Sequence, residues 1–131
     1  MTDIFLKIIN REIPAYIVYE DSDFLAFLDI NPVVPGHTLL IPKVCIDYFY
    51  DLDNQMLSNM IICSKKISEG IQKTFHCKKV GTAVIGLDVK HAHMHLIPIN
   101  AVEDFNFSKH TQLSQHEMTK ICNNIKSNIN T

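Results

Sequence analysis

At 131 residues, with 47% of them apolar and 20% charged, the chain has the make-up of an ordinary globular protein able to bury a sizeable core. A formal charge of −2, with lysines no more than paired at Lys65-Lys66 and Lys78-Lys79, excludes the basic stripe of a nucleic-acid backbone binder. The longest apolar runs, such as 82 to 87, are too short to span a bilayer, and Met1-Thr2-Asp3 lacks the basic start of a secretory signal, so a cytoplasmic protein without membrane or nucleic-acid partner is expected.

Ile4, Phe5, Ile8 and Ile9 recur at helical spacing behind Thr2 or Asp3 as N-cap, which predicts a short helix over 4 to 10. Pro14 ends that pattern. Residues 15 to 20 and 24 to 29 are β-rich runs joined by Asp21-Ser22-Asp23, a hairpin with a polar turn. Asp29 closes the second run, and on the local pattern alone a turn-capping role is favoured over ligand contact. The breaker-rich loop Asn31-Pro32-Val33-Val34-Pro35-Gly36 then delivers His37 to a strand, Thr38-Leu39-Leu40-Ile41, closed by Pro42. A histidine at the mouth of a strand is poorly placed for core packing and is a reasonable member of a site.

Leu52, Met56, Met60, Cys63, Ile67 and Ile71 recur at three-and-four spacing, which predicts the longest helix over about 52 to 73, with Asp51 as its cap. That stripe reads as core. Val80 to Ile85 follows as a strand apolar on both faces, hence expected to be central in its sheet. Gly86-Leu87-Asp88-Val89-Lys90 is a tight return, so the strands on either side should be antiparallel neighbours. Ser114-Gln115-His116-Glu117 is a capping box for a last helix over roughly 114 to 127. His76, His110 and His116 have no partners in register and are expected to face solvent. The four cysteines form no C-x-x-C pair and read as reduced, buried hydrophobes.

The segment that carries chemistry is His91-Ala92-His93-Met94-His95-Leu96-Ile97. Its period of two is that of a half-buried strand, placing the three histidines on one face and Ala92, Met94 and Leu96 on a core. Three imidazoles in register suit either a zinc site or phosphoryl transfer with a neutral imidazole as nucleophile, and the motif by itself leaves both open. Crowded imidazoles discourage one another from charging, which is what a nucleophilic imidazole requires.

Two motifs 54 residues apart settle a resemblance. Asp29-Ile30-Asn31-Pro32 through Pro35-Gly36-His37-Thr38-Leu39-Leu40-Ile41-Pro42-Lys43, with His91-x-His93-x-His95-Leu96-Ile97, resembles the histidine-triad family of nucleotide-binding hydrolases and transferases. Phe5, Lys7-Ile8-Ile9 and Glu12-Ile13-Pro14-Ala15 are similar to the way such proteins begin, and the likeness runs from about residue 3 to 99. It implies a single α+β domain over 1 to 131: a five-stranded antiparallel sheet, one long helix and short terminal helices, with the sheet extended across a homodimer.

The resemblance also implies an enzyme acting at the α-phosphate of nucleoside phosphoramidates or related nucleotides, with a purine nucleotide as substrate and no cofactor; no metal is expected, because this chain departs from the family at Asp3 and Leu6. By position, His93 is the nucleophile that becomes nucleotidylated, His95 holds a phosphate oxygen, and His37 and His91 complete a relay that sets tautomers. Ile4, Phe5, Ile8, Phe27, Leu28 and Ile30 are the base pocket, Asp29 holds ribose hydroxyls, and Gly86, Leu87, Asp88 and Val89 form the loop beside the phosphate. The chain departs from the family where many bacterial relatives carry a zinc-binding cysteine pair: Asp3 and Leu6 stand there, and Cys45 stands where a further histidine often follows. The loop before the triad is shortened, and Asp88 occupies a position where a hydroxyl or amide often helps bind phosphate. A carboxylate there would repel phosphate, which motivates the alternative of a nucleotide sensor or scaffold with little turnover.

Overall fold

Polar side chains at the turns decide where the elements of this chain begin. Asp3 accepts hydrogen bonds from the backbone N–H groups of Phe5 and Leu6 and so starts helix α1, Ile4–Ile9. Asp21 accepts from Asp23 and Phe24, both at 2.8 Å, and folds the hairpin between β1, Ile17–Glu20, and β2, Phe24–Leu28. The chain then runs through β3, Thr38–Pro42, the long α2, Asn54–Phe75, β4, Lys79–Ala83, β5, Met94–Ile99, and α3, Gln115–Asn128. Short 3-10 turns lie at Phe49–Asp51 and Val102–Asp104. These features come from a computed structural model, which describes residues 3 to 129.

The strands form one five-stranded antiparallel sheet in the order β1-β2-β3-β5-β4. Alternation along the strands divides the core in two. One face carries Val18, Phe24, Ala26, Leu28, Leu40, Met94 and Leu96 and packs against α2 and α3 through Met60, Ile67, Ile71 and Ile125. Those four helix residues are wholly buried, each contributing about 1.5–3 kcal/mol of apolar transfer. The opposite face carries Leu25, Phe27, Leu39 and Ile41 against Phe5 and Ile8 of α1. The second face is also the one that bears the histidines.

The structure differs from the sequence reading at four places. Helix α2 is capped by Asp53, which accepts from Met56 N at 2.8 Å; Asp51 belongs to the 3-10 turn before it, so the helix starts later than the apolar spacing suggests. Strand β4 lies at the edge of the sheet, although its composition predicts a central strand, and the apolar Val84 and Ile85 beyond it are 39% and 50% exposed. The ladder of β5 begins at Met94, because Ala92 N donates to Ile46 O rather than to a neighbouring strand. The alternation nevertheless persists through Ala92, Met94 and Leu96, all in the helix-side core. Cys63, Cys77 and Cys122 are buried as expected, but Cys45 is exposed, because it sits in the loop after β3 rather than on a packed face. In agreement with the sequence, His76, His110 and His116 are exposed; His76 ends α2 in the left-handed conformation.

Gly36 positions the site. Its φ of +94° lies in the left-handed region, and a Cβ built there would sit 2.4 Å from the Phe75 ring. Only glycine lets the loop turn into β3 so close to the end of α2, with His37 as the next residue.

Candidate active site

The register of β3 against β5 pairs Leu39 with His95. His37, two residues before Leu39 on the same face, is therefore the diagonal neighbour of His95 across the strands. Their rings meet: His37 Nε2 lies 2.9 Å from His95 Nδ1. The tautomers follow from the partners, since an amide N–H can only donate. Val33 N donates to His37 Nδ1 at 3.1 Å, so the neutral His37 ring carries its proton on Nε2 and gives it to His95 Nδ1. The one remaining proton of a neutral His95 then sits on Nε2, as a donor toward the cavity.

His93 is fixed in the opposite sense. Its Nδ1 lies 2.7 Å from the carbonyl oxygen of His91, which can only accept. The proton is held on Nδ1 and Nε2 keeps its lone pair. Two adjacent imidazoles on one face thus offer different chemistry, His93 a nucleophile and His95 a donor.

Burial drives the protonation equilibria of the site. It pushes His37 down to about 3, helped by the neighbouring His95, and His95 down to about 4, helped by His93. Burial also lowers His93, although the hydrogen bond to the His91 carbonyl partly opposes it. All three rings are neutral at pH 7. For Asp29, burial raises the carboxyl above its ordinary value against the pull of the Asn31 N–H.

A cavity of about 440 Å³ opens on this face. Ile4, Phe5, Leu39, Val89 and Phe107 supply apolar walls, the loop from Ile85 to Asp88 forms one rim, and Asp29, His93 and His95 supply the polar atoms. Phe5 stands edge-on to the His93 ring, with centroids 5.1 Å apart. Asp29 caps the turn through Oδ1, which accepts from Asn31 N at 2.8 Å, while Oδ2 lies 3.7 Å from His37 Nε2.

The candidate residues from sequence do not all converge. His37, His93, His95, Asp29, Ile4, Phe5, Gly86, Leu87, Asp88 and Val89 come together at or beside the cavity. Ile8 and Phe27 lie behind Phe5 in the apolar cluster and support the wall without forming it. Leu28 is a correction: strand alternation turns its side chain into the helix-side core. Ile30 is another, 77% exposed and outside the cavity lining. The His91 ring touches none of the other histidines, and only its backbone carbonyl enters the relay.

Phe107 was missed, because the segment after Pro98 has no period to read. Its ring packs 4.8 Å from His95 and 6.2 Å from His37. The same segment is tied down by Thr111, whose N and Oγ1 donate to the carbonyls of Pro32 and Val33, and by His110 Nδ1 on Asn31 O.

Asp3, Cys45 and His91 approach one another closely enough for their side chains to share a metal ion. Among the described residues the donor set is one short of a closed tetrahedral zinc site. Tetrahedral zinc takes four ligands, thiolate and neutral imidazole among them. Here Asp3 Oδ2 instead accepts from His91 Nδ1 at 2.7 Å and from the Cys45 thiol at 3.1 Å. The hydrogen bond to Asp3 raises the thiol above its ordinary value. In the second cluster, Asp29 with His37 and His95, the two imidazole nitrogens that would face a metal are bonded to each other.

Comparison with known proteins adds to the geometry. A family model described as the HIT domain matches residues 10–102. The chain is 39% identical over 104 residues to the purine nucleoside phosphoramidase of Escherichia coli K12, covering 72% of this chain and 84% of that protein. It is 37% identical over 118 residues to a HIT-like protein of Borreliella burgdorferi, covering 85% of each. Among solved structures, a hypothetical histidine triad nucleotide-binding protein from Sulfolobus tokodaii matches with a TM-score of 0.85 at 29% identity, over 95% of this chain and 90% of that one.

The neutral histidines make stability depend on pH. In the unfolded chain an imidazole titrates near 6.5, whereas His95 and His37 are held at about 4 and about 3 in the fold. Between these values the unfolded state binds more protons, so the stabilisation is complete above 6.5 and is lost as pH falls toward 4. Urea unfolding at pH 5.0 should give a stability lower by at least about 1 kcal/mol than at pH 7.5, and His95→Asn should shrink that difference.

Proposed function

The chain belongs to the HIT family, and from that premise we propose that it is a hydrolase or nucleotidyl transferase acting at the α-phosphate of purine nucleoside phosphoramidates. The carrying observation is the hydrogen bond from His93 Nδ1 to the His91 carbonyl, which leaves Nε2 with its lone pair on a residue that lines the cavity. The likeness to the purine nucleoside phosphoramidase of Escherichia coli supports the same substrate class.

In this reading the purine rests between Ile4, Phe5 and Val89, and the free oxygen of Asp29 accepts from the ribose hydroxyls. His93 Nε2 attacks phosphorus, the P–N bond to the leaving amine breaks, and the amine departs with a proton taken from solvent. The His95 Nε2–H donates to a non-bridging phosphate oxygen as negative charge gathers there. Nucleotidylation makes the His93 ring cationic, and its Nδ1–H bond to the carbonyl strengthens as charge appears. Water then forms a new P–O bond as the Nε2–P bond breaks, releasing nucleoside monophosphate and restoring the imidazole. Splitting one displacement into two lowers each barrier.

One observation favours a second reading. The Asp88 carboxylate lies on the cavity rim beside His93, where it opposes an incoming phosphate. A nucleotide-binding module with little turnover would then bind monophosphate and release no product from any phosphoramidate.

We also propose a homodimer. Strand β4 offers a free edge, and Val84 and Ile85 beyond it stand exposed, as do Ile61 and Ile62 of α2 at 55% and 66%. Sedimentation should show a species of twice 15.0 kDa at micromolar concentration, and a 15.0 kDa species alone sinks the proposal.

The chemistry is tested at His93. His93→Ala should stay folded, bind nucleoside monophosphate and lose about three orders of magnitude or more in turnover. Wild type quenched during reaction should carry an acid-labile nucleotidyl group on His93, and a label on His95 or His37 overturns the assignment. Asp29→Ala should weaken binding more than it slows chemistry, each lost charge-assisted bond to ribose costing about 1.5–3 kcal/mol at most. Equal affinity of that variant and wild type for ribonucleotides leaves Asp29 as a turn residue.

A further inference from the structure

The two oxygens of Asp3 do separate jobs. Oδ1 accepts from Phe5 N at 2.9 Å and Leu6 N at 3.3 Å, capping the helix that supplies Ile4 and Phe5 to the cavity wall. Oδ2 points the other way, to His91 Nδ1 at 2.7 Å. His91 is wholly buried, and its Nε2 lies 2.8 Å from the carbonyl of Pro42 at the end of β3. Both ring nitrogens thus face acceptors. The ring is pinned between a carboxylate and a strand end.

Pinning the ring also pins the backbone to which it is attached. Ala92 N donates to Ile46 O at 2.6 Å, so the peptide joining His91 to Ala92 is held from both sides. The carbonyl of that peptide is the one that takes the proton of His93 Nδ1 at 2.7 Å. We propose that Asp3 is a positioning residue for the nucleophile: through the buried His91 ring it aims the carbonyl that keeps the His93 proton on Nδ1 and Nε2 bare. Released from that carbonyl, a neutral imidazole reverts to the tautomer it prefers in water, with the proton on Nε2, where it has no lone pair for phosphorus. Asp3 is not itself part of the cavity lining, and its effect on His93 runs through a ring and a peptide.

The cap and the link can be separated by side-chain choice. Asp3→Ser retains a good helix cap but cannot reach His91, whereas Asp3→Asn caps the helix and still places a polar group on His91 Nδ1. An amide there can accept from His91 Nδ1 through its oxygen or donate to it through its N–H₂, so ring and carbonyl keep their places. Imidazole nitrogen NMR at neutral pH reads the His93 tautomer directly. Wild type and Asp3→Asn should show the single Nδ1–H form, and Asp3→Ser a mixture containing Nε2–H.

The kinetics should split in the same way. Misplacing a reacting group by about an ångström costs on the order of 100-fold, so kcat of Asp3→Ser for a nucleoside phosphoramidate should fall between about 10- and 100-fold. Its KM and its affinity for nucleoside monophosphate should stay within about twofold, since the capped helix keeps the wall in place. Should Asp3→Ser fail to fold, Asp3→Thr, also a helix cap, reads the same quantities. A single Nδ1–H tautomer and wild-type kcat in the serine or threonine variant overturn the proposal, as does an asparagine variant as impaired as serine. The kinetic arm rests on the proposed function, but the tautomer does not: a wild type that hydrolyses no phosphoramidate sinks the function and leaves the link from Asp3 to His93 to be decided by NMR alone.

Discussion

The arrangement depends on one hydrogen bond, from His93 Nδ1 to the carbonyl of residue 91. An imidazole in water carries its proton on either nitrogen and attacks from whichever is free. Tying one nitrogen to a group that can only accept removes that freedom at the cost of a single proton position. Everything near the site serves this end: burial keeps the ring neutral, the Ala92 and His91 anchors hold the peptide, and Phe5 packs edge-on against the ring. The same bond is better made once the ring becomes positive, so in the proposed reaction an interaction that orders the free protein would also favour the nucleotidylated state.

The sheet divides labour between its faces. Helices α2 and α3 bury a continuous apolar layer under the sheet, which keeps β3 and β5 in register to within the tolerance that a ring-to-ring hydrogen bond allows. The thin layer under α1 is left free to hold polar rings. Burying three neutral histidines and a fourth paired with Asp3 costs little once each has a partner, and among the described residues no buried side-chain polar atom lacks one. A charged, solvated arrangement of the same four rings would have neither fixed tautomers nor a defined nucleophile.

Much of this was legible in the residues. The alternation at Ala92, Met94 and Leu96 gave the core-facing side of the triad, the Asp21 turn and the Ser114–Glu117 box marked element starts, and the breakers before His37 placed it at a strand mouth. What the pattern could not carry was sheet position and direction of side chains off the strand. An apolar β4 reads as central because period alone cannot tell a neighbouring strand from an exposed edge. The ring of His91 shares the triad's spacing, yet it turns to Asp3, 88 positions away in sequence, a contact that no local period encodes. Leu28 likewise sits next to Asp29 in the chain but on the other side of the sheet. Phe107 lies in a segment held by backbone carbonyls of the loop at 31 to 33, and such pairings leave no mark on composition.

That tethered loop supplies Val33 N–H, the first donor in the line through His37 to His95. The polarity of the relay is therefore written in peptide groups, which carry dipoles but no net charge and stay as they are at any pH where the chain is folded. Mobile ions screen charges and leave short, buried dipolar bonds almost untouched. The direction in which His95 presents its proton is thus insulated from the ionic strength around the protein and from the acidic residues scattered over its surface. Encounter with any charged ligand will feel the salt; the protons that meet it inside will not.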